Sequence, residues 1–313
     1  AFSWRWVFYL NLPLAAAALI AMAYALPRLP RHKRPSIDWA GGSLTIVGIL
    51  ALLLALTWGG REFGWLSAPI VILIALAVGC GLAFLQVERR AKEPIVPPGL
   101  LHGPVIPYCC TGMFTMGLVW LGVILMAPLF LQRVLGFSAT HAGGDLTPAV
   151  VLSGLAAVVG GVAVTHLGRV KPVLIAGALA TLGSVVWLLS LGPGASQAQV
   201  VGALVVDGIG IGLVIPPFTV ALQNAVRPDQ QGVAMGVMSL FRQMGATIGT
   251  TLLSVFVSGQ ATELSPRALA DGIHAGYVVM GIAAVLMLAM ALATREVPLR
   301  GRVLQRAELA AAG

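Results

Sequence analysis

The chain has 313 residues, of which 58% are hydrophobic and only 10% charged, and its net charge is +8. A soluble domain carries about 25% charged residues, so this chain lacks the polar surface to face water on all sides, and lipid must cover much of it. The basic residues fall in short bursts between apolar runs, not in one patch, which argues against a nucleic-acid binder and for membrane topology.

A membrane-spanning helix needs about 20 mainly apolar residues. Nine such runs follow one another, at 7–27, 38–58, 67–87, 105–131, 143–165, 172–192, 198–222, 233–257 and 272–293. They are apolar throughout instead of alternating, and too long for barrel strands of about 10 residues. The first run opens with SWRWVFYLNLP, where Trp4, Trp6, Phe8 and Tyr9 suit an outer membrane interface. It is not a signal peptide, because its basic residues follow the apolar stretch and no small-residue cleavage site comes after it. Cys109, Cys110 and Cys80 lie inside apolar runs with no disulfide framework and no metal-ligand spacing, so small buried residues and no metal are expected.

Lysine and arginine set the orientation. Arg28, Arg31, Lys33 and Arg34, then Arg89, Arg90 and Lys92, then Arg169 and Lys171, Arg227, and finally Arg295, Arg300, Arg302 and Arg306 occupy breaks on one side. The other side holds Arg5, Arg61, Arg133 and Arg267. The richer side is expected to be cytoplasmic, with the C-terminus inside and residue 1 outside. Because the chain then reaches the outer interface with nothing to carry it across, an odd number of earlier helices is expected to precede Ala1.

Three stretches carry a resemblance. WRWVFYLNLP resembles the start of the sixth helix in the 14-helix branch of the major facilitator superfamily, the drug:proton antiporters. APLFLQRVLGFSATHAGGDLTPAV, residues 127–150, resembles the outer hairpin of that family and the helix after it. GIGIGLVIPPFTVALQNAVRPDQQGVAMGVMSLFRQMGATIGTT, residues 208–251, is similar to its twelfth and thirteenth helices. The resemblance implies an all-α integral membrane protein of the major facilitator type, with nine transmembrane helices of a 14-helix transporter. Residues 1–104 would be the last helix of the N-terminal bundle and two central linker helices. Residues 105–294 would be the C-terminal six-helix bundle, made of repeats 105–192 and 198–294, and 295–313 a cytoplasmic tail. Substrate in such folds binds near the midplane between bundles.

GGVAVTHLGRVKP, residues 160–172, resembles the cytoplasmic gating loop of the superfamily. Gly161, Gly168, Arg169 and Lys171 fit that pattern, while Thr165 and His166 stand where the acidic residue and its neighbour are expected, so the charge relay is incomplete. The plain alternative is a positive-inside anchor.

Asp207 and Arg242 lie within apolar runs, where an ionised group costs at least about 2.5–3.5 kcal/mol. Helix counting places Asp207 about 5 Å to one side of the midplane and Arg242 about 4 Å to the other. Their runs are neighbours in sequence and antiparallel, so a salt bridge is expected, with Asp207 exchanging a proton and Arg242 alternating between acceptors. A static pair pinning two helices is the alternative. Arg242 matches the SLFRQMG-like motif of the family, and Asp207 has no counterpart there.

The pairs Gly208–Gly212, Gly232–Gly236 and Gly245–Gly249 have the small-xxx-small spacing that permits close helix packing, with Gly210 adding to the first. Pro216 and Pro217 are expected to break the hydrogen-bond ladder locally. Met113, Phe114, Met116 and Trp120 on one run, and Met235, Met238, Phe241 and Met244 on another, suggest a soft pocket. Met113, Trp120, Met238, Phe241 and Gln223 are the candidate cavity residues, with Asn224 near the same mouth. His141 and Asp145 read as an external pH sensor or, more simply, a helix cap, and Asp38 as a cap. His102 and His274 are isolated. GIGIG sits inside an apolar run, which excludes a dinucleotide loop, and no nucleophile–base pair is present, so no enzyme is expected.

The resemblance implies export of amphipathic or lipophilic compounds across a bacterial inner membrane, driven by inward proton movement and without a cofactor. The expected partners are membrane lipid, small amphipathic substrates and the missing N-terminal half of the same transporter, with no nucleic acid. A transporter for one metabolite, lipid or siderophore, or a non-transporting membrane scaffold, are the rival readings.

Overall fold

Helix boundaries follow from local chemistry. Proline within the first two positions opens the helices that begin at Ile106, Thr147 and Lys171, where its missing N–H leaves no bond unmade. Ser196 caps the helix that begins at Gln197 through a capping box, its hydroxyl accepting from the Gln199 amide while Gln199 Oε1 accepts from the Ser196 amide at 2.9 Å. Gly168 ends another in the left-handed conformation, at φ 67°.

The computed structural model describes residues 6–25, 39–59, 62–88, 103, 105–192, 194–260 and 266–296. Its helices are α1 Trp6–Ala25, α2 Trp39–Trp58, α3 Ala68–Glu88, α4 Ile106–Arg133, α5 Ala139–Gly144, α6 Thr147–Leu167, α7 Lys171–Ser190, α8 Gln197–Ala225, α9 Gln231–Gln260 and α10 Pro266–Ala293. There is no strand among the described residues. Among the described residues, each of the nine apolar runs falls on helix. The run 143–165 is divided, because α5 stops at Gly144 and α6 starts anew at Thr147 and Pro148.

Among the described residues, six stretches are long and apolar enough to cross a membrane: α3, α4, α5 with α6, α7, α8, and α10 from Asp271. Shorter apolar stretches lie in α1 and α2.

Residues 1–37 form one unit, in which α1 runs unbroken through Pro13. Within the second unit, residues 38–313, α2 and α3 pack as a hairpin in which Gly48 faces Cys80. α4 packs along α9 and α10, and along part of α8. α6 and α7, although consecutive, scarcely meet, and each lies against α8. α10 completes the group by packing on α7.

Two apolar clusters fill this group. One lies near the α6–α7 and α8–α9 turns and includes Cys109, Met116, Leu174, Phe218, Leu222 and Met287. The other lies near the α7–α8 turn and includes Phe130, Leu188, Leu204, Tyr277 and Met280. Val151, Leu155, Val158 and Val162 of α6, and Ile282 and Val285 of α10, remain exposed. Contiguous apolar faces of this kind mark contact with a membrane or another protein segment.

Candidate functional site

Glycine sets the distances between these helices. A Cβ on Gly245 would overlap the Phe114 carbonyl of α4, and one on Gly249 would press on Leu118. On α8, Gly208 faces the Ala149 carbonyl and Gly212 the Ser153 carbonyl of α6, while Gly210 faces Thr181 of α7. These two pairs therefore sit at close helix contacts. The third expected pair does not: Gly232 and Gly236 have nothing within 4 Å of where a Cβ would stand. The spacing alone cannot say which face of a helix meets a neighbour. Pro216 and Pro217 sit within a continuous α8.

The expected salt bridge is absent. Asp207 is fully buried, and both of its carboxylate oxygens lack a hydrogen-bond partner. Arg242 is half-buried on α9, with its backbone carbonyl against Gly117 of α4. The physical reason is topology. α8 and α9 follow one another in sequence, yet α9 packs chiefly on α4 while α8 packs chiefly between α6 and α7. Neighbours along the chain are not neighbours across the bundle, so an arginine on one does not reach an aspartate on the other.

The soft lining divides. Met113, Met116 and Met238 are buried in the apolar cluster near the α8–α9 turn and act as core, which corrects their assignment to a cavity wall. Trp120, Met235 and Phe241 are half-buried and pack against that cluster from its edge. Gln223 Nε2 lies 3.9 Å from the Met235 sulfur, and the Gln223 carbonyl accepts from Gln231 Nε2 at 3.1 Å. Gln223 therefore ties α8 to α9 at their turn. The Asn224 side chain donates to the Val220 carbonyl at 2.8 Å.

The loop predicted to act as a gate is the α6–α7 turn. Gly168 supplies its left-handed residue, Arg169 is exposed, and Lys171 opens α7. Gly161 lies about two turns deeper, where α6 meets Pro216 of α8. α7 has no side-chain cap of its own. Glu296, just beyond α10, takes that role: its two carboxylate oxygens accept from the Val170 amide at 3.3 Å and the Lys171 amide at 3.2 Å. An anion at a helix N-terminus contributes about 0.3–1 kcal/mol. Sequence reasoning missed Glu296. The available signal was the stretch RVKP, which opens a helix with no Ser, Thr, Asp or Asn to cap it. Glu296→Ala is expected to lower stability by about 1 kcal/mol and to speed hydrogen exchange at the Val170 and Lys171 amides. Unchanged exchange at those two amides would show that the contact is incidental.

The remaining polar candidates that are described make hydrogen bonds within or between helices. Ser138 caps α5, with its hydroxyl 2.9 Å from His141 Nδ1. Asp145 accepts from Gln197 Nε2 at 2.9 and 2.8 Å, which ties the start of α6 to that of α8. His274, expected to be isolated, meets the Leu191 carbonyl at 2.6 Å and joins α10 to the end of α7. Cys80, Cys109 and Cys110 are free and buried. Asp38, His102, Trp4 and the basic residues at 28–34, 89–92 and 300–306 lie outside the described residues.

The model of the Major Facilitator Superfamily matches residues 1–250. The chain therefore belongs to the major facilitator superfamily, and is a multi-pass membrane protein of that transporter family. It is 34% identical over 262 residues to the multidrug transporter protein MdtP of Bacillus subtilis, covering 84% of this chain and 48% of that one. It is 37% identical over 260 residues to an MFS-type transporter of Mycobacterium tuberculosis, covering 82% of this chain and 37% of that one. Multidrug resistance protein 3 of Bacillus subtilis is 28% identical over 250 residues, covering 80% and 49%. The chain thus spans half or less of the length of these curated relatives.

Proposed function

We propose that this chain belongs to the 14-helix drug:proton antiporter branch and contributes its later helices to a transporter that exports amphipathic or lipophilic compounds across the cytoplasmic membrane, driven by inward proton movement. The observation that carries this reading is the likeness, along 84% of the chain, to a protein named as a multidrug transporter. On this reading α2 and α3 are the central linker pair, and α4–α10 form one of two bundles that rock against each other. Arg242 is the coupling cation, half-buried on α9 where that helix crosses Gly117 of α4. Asp207 is the acid of this bundle and takes part in ion exchange separately from Arg242. The α6–α7 turn, with Arg169 and Lys171, is the gate.

The test is flux by the full-length protein in proteoliposomes, with an imposed pH gradient and a panel of chemically unrelated amphipathic dyes. Export of several dyes that collapses on adding a protonophore is expected. Flux of one tightly bound compound alone would favour a specific transporter, and flux indifferent to the gradient would remove proton coupling.

A further inference from the structure

Thr181 on α7, Asp207 on α8 and Tyr277 on α10 are each at most 1% exposed. The Thr181 hydroxyl, both Asp207 carboxylate oxygens and the Tyr277 phenol oxygen have no hydrogen-bond partner. A buried polar group left unsatisfied costs about 1–3 kcal/mol, and more if charged, so folded proteins keep few of them. Stability does not explain three of them in one half of one helix bundle, since apolar residues there would hold the core better.

The three belong to one locality. The face of α8 that carries Ala203, Asp207 and Gly210 lies on α7. The Ser184 hydroxyl donates to the Ala203 carbonyl at 2.8 Å, and a Cβ on Gly210 would run into the Thr181 oxygen. Along α8, Asp207 is thus bracketed by Ser184 on one side and Thr181 on the other. Tyr277 sits in the same apolar cluster as Ala203 and Leu204, and it lies within electrostatic reach of Asp207.

Among the described residues no cation serves this carboxylate. On the helices packed against α8, Arg133 and His166 lie in last turns and Lys171 at a helix start. Arg242 stands where α9 crosses α4. Among the described residues no group of three His, Cys, Asp or Glu is assembled, so a transition metal has no ligand set.

We infer that Thr181, Asp207 and Tyr277 form a binding site for a dehydrated monovalent metal cation of the sodium class. Every donor is oxygen, which hard cations prefer. One carboxylate balances one positive charge, whereas a divalent ion would leave a buried surplus. The Ser184 oxygen keeps a lone pair free after its own donation, and stands by as a further ligand. The site goes beyond the efflux reading, because filling it needs neither a drug nor a proton gradient.

The experiment is thermal unfolding of the purified full-length protein in detergent, titrated with sodium chloride against choline chloride at constant ionic strength. A cation that binds only the folded state raises the unfolding midpoint with its concentration. A saturable rise with sodium but not choline is expected for the wild type, with none in Asp207→Asn. Thr181→Val and Tyr277→Phe are expected to weaken the sodium response about tenfold or more, the equivalent of about 1.4 kcal/mol. Both should unfold at a higher temperature than the wild type when sodium is absent, since each removes an unsatisfied oxygen. Equal shifts with sodium and choline, or a sodium-specific shift that survives Asp207→Asn, overturn the site. Should Asp207→Asn fail to fold, radioactive sodium binding to the wild type decides: displaceable, saturable binding that weakens in Tyr277→Phe upholds the site, and its absence overturns it. Proton-driven dye flux without sodium binding removes this site alone, and sodium binding without dye flux removes the efflux reading alone.

Discussion

Gly245→Ala is expected to destabilise the protein by about 1–3 kcal/mol, the range for forcing an extra methyl into a filled contact. The position admits no Cβ, because α9 rests its backbone against the Phe114 carbonyl of α4 there. The added methyl must push two helices apart, and neither can yield by a side-chain rotation. The same change at Gly236, on the same helix, meets nothing within 4 Å. There it is expected to be neutral or to stabilise by up to about 0.5–1 kcal/mol, since glycine is a poor helix former. Thermal unfolding of the two variants in one detergent compares them directly. Equal effects at the two positions would mean that α9 does not lie on α4 in this register.

Arg242→Ala in the full-length transporter is expected to cut drug efflux at least about tenfold, or 1.4 kcal/mol in transport rate, at unchanged membrane abundance. Arg242 is a half-buried cation on a helix whose apolar neighbours include Met238 and Phe241, and truncation removes the charge without opening the α4–α9 contact, which is made by backbone and glycine. Because Arg242 and Asp207 do not pair, the double variant with Asp207→Asn should combine the single effects to within about 0.5 kcal/mol in stability. A coupling well above that figure would show that the two side chains meet in another conformation. Wild-type efflux from Arg242→Ala would take this residue out of the mechanism.

The helices were readable because twenty apolar residues in a row leave the backbone one way to satisfy itself in lipid, and the breaks carry proline, glycine and charge. The small-xxx-small spacing at Gly208, Gly212, Gly245 and Gly249 is likewise a local pattern. Partnerships across the bundle were not readable. Whether Gly236 meets a helix, whether Met113 faces a cavity or a core, and which helix receives Asp207 all depend on the packing order of the helices. That order departs from chain order when α4 takes α9 and α10 as partners. Glu296 and Tyr277 escaped notice for the same reason. Each is an unremarked polar residue in sequence, and its importance comes from a segment far away.

The bond between Glu296 and the Val170 amide joins positions 126 residues apart. A ribosome has therefore released nearly the whole described chain before the first turn of α7 receives its anion. α4 likewise waits for α9 and α10, made well after it, before the face that carries Gly117 is covered. Membrane insertion and assembly are thus separate events for this protein. A nascent chain arrested ahead of α9 leaves the backbone of α4 at Phe114, Gly117 and Leu118 without the helix that covers it.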